Sequence, residues 1–348
     1  MHTPVRSKRT TRLLATTSAI ALTATLAACS SNSSSDAASA QQGSATNLSG
    51  VTLTLGDQVN TLKTLLTASG VLSGTAYQVK FAEFQGAAPL FQAVKAGDVD
   101  TGYAADLPTL TAIAGGVPVK AVAALQAGGA GTAILTQKGS SVTSVADLKG
   151  KTVVVSSAKG SVAEELLANA LAKAGLSYSD VHVEYLLPTA ALAAFNSHKI
   201  DVWATFGVYQ DTAQLAGART LVDGENGLTS GIGLISATSQ VLGDSARKAA
   251  LEDVLRRINK ALIWSTTHSA QFAAAYASAF NLSSAIAKDV VSQGSTALLP
   301  LSATVQAKVQ QVATVMHAIG SLPSAVTVSA NSDSTAYTAA DEASSAGN

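Results

Sequence analysis

Ser156 and Lys159 stand three residues apart in VVVSSAKGSVAEELLANAL (153–171), where an apolar run breaks into a small polar loop and then a helical pattern. A serine activated by a neighbouring base is a nucleophile, and S-x-x-K is the spacing of one enzyme class. That class also needs S-D-N and K-T-G partners, and neither tripeptide occurs in the chain. Gly150-Lys151-Thr152 ends like a phosphate-binding loop, but the glycine required five residues earlier is Val145. The triplet also precedes its strand, whereas a phosphate loop follows one. G-x-S-x-G, G-x-G-x-x-G, H-E-x-x-H and C-x-x-C are absent. His182, His198, His268 and His317 are scattered without metal-ligand spacing, so neither metal nor cofactor is expected.

The chemistry left to the loop is capture. The N-terminus of a helix offers unpaired N–H groups and partial positive charge to an anion. Strand-to-helix turns of this kind recur at Gln58–Thr61, Gln85–Ala88, Asp106–Pro108, Gly160–Ser161 and Pro188–Ala190. In α/β proteins, ligands bind at that edge of the sheet. Each turn also has a local reading. Ser161 and Glu164 form S-x-x-E, a capping box that finishes its own helix. Asp106 before Leu-Pro reads as an N-cap, and Gln58 and Gln85 as solvated turn residues. Glu164 and Glu165 place negative charge in the first helical turn, which weakens that end as an anion site.

The elements that must position these turns alternate. VTLTLG (51–56), YQVKFAEF (77–84), DVDTGYA (98–104), VPVKAVAAL (117–125) and TAILTQ (132–137) read as strands, as do KTVVVSS, VHVEYLL, IDVWATF and IGLISA (232–237). Helical patterns lie between them, which predicts an α/β fold with largely parallel sheets. In the helix after Ser161, Val162, Leu166, Ala170, Leu171 and Ala174 share one face, and SVADLKG (144–150) reads as a short helix. From about residue 240 to Leu322 the chain reads as helical. Leu251, Val254, Leu255, Ile258 and Leu262 form one stripe, and Val305, Val309, Val312 and Met316 another. LFQAVKAGDVDTGYA (90–104) and LAAFNSHKIDVWA (192–204) echo each other as helix, turn, apolar-Asp, strand, aromatic, which suits two similar lobes facing across a cleft.

Cys29 is the only cysteine of the 348 residues. It follows Leu26-Ala27-Ala28 and a basic then apolar leader, which predicts a signal peptide over 1–28. The expected product is a lipidated Cys29 on a flexible Ser-rich tether (29–49), since two or more acyl chains give stable anchoring. Removing Arg6, Lys8, Arg9 and Arg12 with the leader leaves 18 basic against 22 acidic residues. No basic run suggests nucleic acid, and a body without cysteine excludes disulfides and thiol catalysis.

LGDQ (55–58), LFQAVKAGDVDTGYAADLPTLTAIAGG and SVADLKGKTVVVSSAKGS, then LLANALAKAGLSYSDVHVEYLLPTAALAAFNSHKIDVWATFGVYQ and LLPLSATVQAKVQQVATVMHAIGSLP, appear in that order. Over about residues 50 to 325 the chain resembles the substrate-binding lipoproteins of ABC importers, in the nitrate/sulfonate/taurine branch with its aliphatic-sulfonate binding proteins. The resemblance implies a two-lobed α/β fold of the type II periplasmic-binding-protein kind, closing over one ligand. Lobe I is expected from 50–130 and 230–325, lobe II from 131–229, with a flexible tail over 326–348.

By the same resemblance, Gln58, Gln85, Gly86, Asp106, Ser161, Phe206 and Tyr209 line the pocket, and Gly160 allows close backbone approach. Phe206 and Tyr209 also read as packing between lobes. The family's second Ser after Lys-Gly-Ser is Val162 here, and its Trp-Asp-Pro-Tyr is Phe206-Gly207-Val208-Tyr209. An Asp and an Arg common in the helix after the Pro are Ala190 and Leu192. These departures imply a larger or less charged ligand than a small alkanesulfonate. The implied protein is a non-catalytic, monomeric receptor lipid-anchored on the extracytoplasmic face of the membrane, delivering a small organic anion to ABC permease subunits. The alternatives are an enzyme of the thiamine-pyrimidine-synthesis type on the same fold, or a sensor or surface protein that retains it.

Overall fold

The computed structural model describes residues 46–295 and 297–346. The expected leader, Cys29 and the tether up to residue 45 lie outside the described residues. The chain opens with β1 (Thr52–Gln58), α1 (Thr61–Ser69), β2 (Gln78–Phe84), α2 (Ala87–Ala96), β3 (Thr101–Ala105), α3 (Asp106–Ala114) and β4 (Val119–Gln126). It then crosses through 127–131 into a second sheet made of β5 (Thr132–Thr136), β6 (Thr152–Val155), β7 (His182–Tyr185), β8 (Val202–Phe206) and β9 (Arg219–Asp223). Helices α4 (Val162–Lys173), α5 (Pro188–Asn196) and α6 (Gly207–Leu215) connect these strands.

A second crossover, 224–231, returns the chain to β10 (Ile232–Thr238). Next come α7 (Ser239–Gly243), α8 (Ser245–Thr267), α9 (Ser269–Phe280), α10 (Ser284–Gln293), β11 (Leu298–Leu299), α11 (Ala303–Ala318) and α12 (Ala339–Ala346). The strand orders are β11-β4-β10-β3-β1-β2 and β7-β6-β8-β5-β9. Each sheet has a parallel part, β2-β1-β3 and β7-β6-β8. The strands next to the crossovers are antiparallel, β10 to β3 and β4, and β5 to β8 and β9. The two sheets with their helices are the two lobes of an α/β fold. The echoed segments fall on α2–β3 in one lobe and α5–β8 in the other.

The stripe Leu251, Val254, Leu255, Ile258 and Leu262 packs α8 on Leu53 and Leu55 of β1 and on Leu62, Leu65 and Leu66 of α1. Burying such a side chain contributes roughly 1.5–3 kcal/mol. In the second lobe α4 is buried almost all round: Leu166, Leu167 and Leu171 pack against Ile134, Val153, Val155 and Ala204. The expected stripe on α4 is corrected at both ends. Val162 is only partly buried and Ala174 is exposed, while Glu164 and Glu165 are buried. On the sheet's other face Trp203 meets Phe195. Residues 144–150 hold only a 3-10 turn, Val145–Leu148, and α6, β9 and β11 are elements the sequence reading did not anticipate.

The tail beyond residue 325 also departs from expectation. Val326 and Val328 are buried with α3 and α11, Ser332 bridges Ala121 of β4, and Ala336 and Tyr337 are buried with α8. α12 lies on α8, with Arg256 paired to Asp341 at 3.1 Å. A Ser/Ala/Thr-rich composition hides this. A few well-placed apolar side chains, with backbone bonds such as Asp333 N–H to the Ala121 carbonyl (2.8 Å), suffice to dock a segment.

Candidate functional site

A cavity of about 560 Å³ lies between the sheets. The first lobe supplies Gln58 and Thr61 around the β1–α1 turn, Phe91 and Lys95 from α2, Tyr103 from β3, and Thr111 from α3. The second lobe supplies the β6–α4 loop, Ser157 to Ser161, and Phe206, Gly207 and Val208 at the start of α6. Tyr276 of α9 and Gln293 of α10 complete the wall. Among the described residues, Lys95 and Lys159 are the only charged ones lining it.

Of the residues expected in the pocket, Gln58, Gly160, Ser161 and Phe206 line this cavity, whereas Gln85, Gly86, Asp106 and Tyr209 do not. Gln85 reaches across the cleft and accepts a hydrogen bond from Thr189 Oγ1 (2.9 Å). Gly86 lies so close to Ser157 that a Cβ there would stand 2.7 Å from the serine hydroxyl. Tyr209 packs with the Phe195–Trp203 group. Asp106 is fully buried, with its Oδ1 accepting the Leu107 N–H (2.7 Å), and its burial pushes it up to about 6. Gln85 and Gly86 thus meet the other lobe, Asp106 holds its own turn, and Tyr209 packs inside the second lobe.

Local chemistry explains how the loop is held. Ser156 accepts from Trp203 Nε1 (2.9 Å), which fixes its start. Ser161 caps α4 by accepting the Glu164 N–H (3.3 Å). Glu164 reaches back to the Gly160 N–H, and the hydroxyls of Tyr178 (2.9 Å) and Tyr185 (3.0 Å) donate to the same carboxylate. Burial, and the Glu164 charge after it, holds the Tyr178 phenol far above its ordinary value. The Gly160 N–H, which an incoming anion would use, is thus taken by a carboxylate of the protein itself. The first turn of α1 is filled in the same way, because Asp57 Oδ2 accepts the Lys63 N–H (2.8 Å). Burial pushes Asp57 up to about 6.

What remains open to a ligand is a largely apolar and aromatic wall with neutral polar groups and one lysine from each lobe. Sequence reasoning did not single out Lys95, Tyr103, Thr111, Tyr276 or Gln293. Gln92 and Lys95, three apart on α2, carried a same-face signal. Tyr276 and Gln293 carried none, because they arrive from the far end of the chain.

The sequence profile of the NMT1/THI5-like family matches residues 77–261, from the start of the second strand to α8. An aliphatic sulfonates-binding protein of Escherichia coli K12 is 34% identical over 148 residues, 42% of this chain. The chain spans 46% of the length of that relative. The alkanesulfonate-binding protein SsuA of Xanthomonas axonopodis pv. citri, solved with MOPS bound, superposes with a TM-score of 0.75 at 28% identity, covering 82% of this chain and 98% of that one. The periplasmic aliphatic sulphonate binding protein SsuA of Escherichia coli gives a TM-score of 0.71 at 26% identity, over 81% and 92%. The profile covers more than half of the chain and includes α2, α3, the β6–α4 loop and β8, so the protein belongs to the NMT1/THI5-like family.

Proposed function

We propose that this protein is a non-catalytic solute receptor that captures an organic anion, of the sulfonate kind bound by its relatives, for an ABC importer. The observation that carries this reading is the cavity between the lobes, whose charged lining residues are two lysines, Lys95 on α2 and Lys159 before α4. In this reading the ligand's head lies near Ser161 and Lys159, held by charge-assisted hydrogen bonds, and its body lies against Phe206. Gln58 completes the contact, and Gly160, its N–H held by Glu164, leaves room for close approach. The cavity is larger than a two-carbon sulfonate needs, and Gly207, which lines it without a side chain, provides no partner for a ligand amine. In this reading Gln85, Gly86, Asp106 and Tyr209 support the walls of the cleft instead of touching the ligand.

Calorimetry with taurine, ethanesulfonate and a bulkier aromatic sulfonate tests this. The aromatic sulfonate should bind most tightly, and Lys159→Ala should weaken it about tenfold, the value of one charge-assisted contact. Taurine binding most tightly of the three would sink the reading.

The same proposal places the protein outside the cell membrane, held by lipid on Cys29, beside its permease. No helix among the described residues is long and apolar enough to cross a membrane. Cys29→Ala should release the protein into the medium or leave it unprocessed. A variant that still fractionates with membranes at full processed length would rule out the anchor.

A further inference from the structure

Three buried carboxyl groups stand where the lobes meet and take no part in lining the cavity. Asp106 opens α3 in the first lobe, and Glu165 lies in the first turn of α4 in the second, packed on α3. Their exposures are 0% and 1%. Ser230, on the returning crossover, joins them. Its N–H donates to Glu165 Oε1 (3.2 Å) and its side chain lies beside Asp106. Asp106 Oδ2 and Glu165 Oε2 have no hydrogen-bond partner among the described residues.

A second seam repeats the pattern. Asp211 of α6, 2% exposed, accepts from Gln293 Nε2 of α10 (3.3 Å), and its Oδ2 has no partner among the described residues. The carboxyl of Asp289, also on α10, faces it.

Asp106 and Glu165, both cut off from water, do not both stay ionised side by side, whereas at the second seam Asp289 is exposed and only Asp211 is cut off from water. At the first seam one carboxyl keeping its proton removes the second buried charge. Lys173 and Lys308 line a second cavity with Glu165 but are not paired with it among the described residues. The titratable groups on elements packed against α3 and α4 include Lys95, Lys173, Lys308, His317, Glu164 and Tyr178. None of these makes an ion pair with Asp106 or Glu165 among the described residues. Around Asp211, β5, β8 and α5 bring no charged side chain, and α10 brings Asp289 and the exposed Lys288, which makes no ion pair with Asp211 among the described residues.

We propose that closing the lobes takes up protons at two seams, at the Asp106–Glu165 pair and at Asp211 where it faces Asp289, each seam joining residues from either side of the cleft. Acid then favours the closed form, and deprotonation at the seams opens it. Burial pushes Asp106 up to about 6 and, with the Asp289 charge added, Asp211 up to about 7. Burial first, and then the Asp106 charge, raises Glu165 well above its ordinary value. In the open form water reaches these groups and they regain ordinary values. The closed form is therefore favoured fully below about pH 4, and the advantage is lost as pH rises through 6 and 7. Each proton taken up changes the closed-to-open ratio by up to about tenfold per pH unit in that window.

Small-angle scattering of the ligand-free full chain at pH 5 and pH 8 tests this without reference to any ligand, so its outcome is independent of the proposed function. The wild type should be more compact at pH 5. The variant carrying Glu165→Gln and Asp211→Asn, which removes one carboxyl and the like-charge repulsion from each seam, should show a clearly smaller difference between the two. A wild-type radius unchanged between pH 5 and 8, or a double variant that keeps the wild-type response, overturns the proposal. Compaction at pH 8 on adding Na⁺, Mg²⁺ or Ca²⁺ overturns it too, since a metal ion would then hold the seam. Should the double variant fail to fold, carbon-13 titration of the wild-type side-chain carboxyls decides. Three groups titrating above about pH 5.5 support the proposal, and none doing so refutes it.

Discussion

Gly160 sits at φ 78°, and a Cβ on it would stand 2.2 Å from Thr111 Oγ1 of the other lobe. The left-handed backbone alone costs a non-glycine residue about 1–2 kcal/mol, and the collision adds to it. Gly160→Ala should hold the lobes apart at this point. It should weaken ligand binding by tenfold or more in calorimetry while leaving the fold, by circular dichroism, intact. Glu164 is the neighbouring residue with most to lose. Glu164→Ala leaves the Gly160 N–H and two phenols without their acceptor, at about 1–3 kcal/mol for each group that stays buried. A loss of about 3 kcal/mol or more is expected in urea unfolding, against about 1 kcal/mol for Tyr178→Phe. The S-x-x-E spacing announced a helix cap. It did not announce that this carboxylate would reach past Ser161 to Gly160, because that geometry depends on Tyr178 and Tyr185, 14 and 21 residues away.

At the scale of elements, periodicity was a good guide where one face met one neighbour. The α8 and α11 stripes are buried residue for residue. It failed on α4, which is covered on nearly all sides, so that a polar pair joins the buried set. It failed again on the last segment. Tyr337 is fully buried within the cluster that α8 and β1 build. Tyr337→Ala should cost about 3–5 kcal/mol, read as a lower urea midpoint at unchanged slope. An unchanged midpoint would mean that the segment does not contribute to stability.

The whole molecule turns on its two crossovers. At 127–131 and 224–231 they run against each other, with the Ala127 N–H bonded to the Gly231 carbonyl (2.9 Å). A Cβ on Gly129 would stand 1.9 Å from the Gly224 carbonyl oxygen. Backbone on backbone has no rotamer to relieve it, so Gly129→Ala must push the crossovers apart. Thermal unfolding should fall by several degrees, the equivalent of about 1–3 kcal/mol of overpacking. Scattering should show that a binding ligand compacts the variant less than the wild type.

Alternating strands and helices and the two long stripes came from the residues alone, since they rest on contacts two to four positions apart. So did the absence of an enzyme motif and the strand-to-helix turns from which the cavity is partly built. Tertiary structure alone decided that Gln85 bridges the lobes, that Asp106 meets Glu165 59 residues further on, and that Tyr276 and Gln293 reach a wall begun by Gln58. Such pairings depend on how packed layers stack, and burial then turns ordinary carboxylates into proton-holding groups. No local spacing encodes that change, because desolvation belongs to the assembled seam and not to the segment.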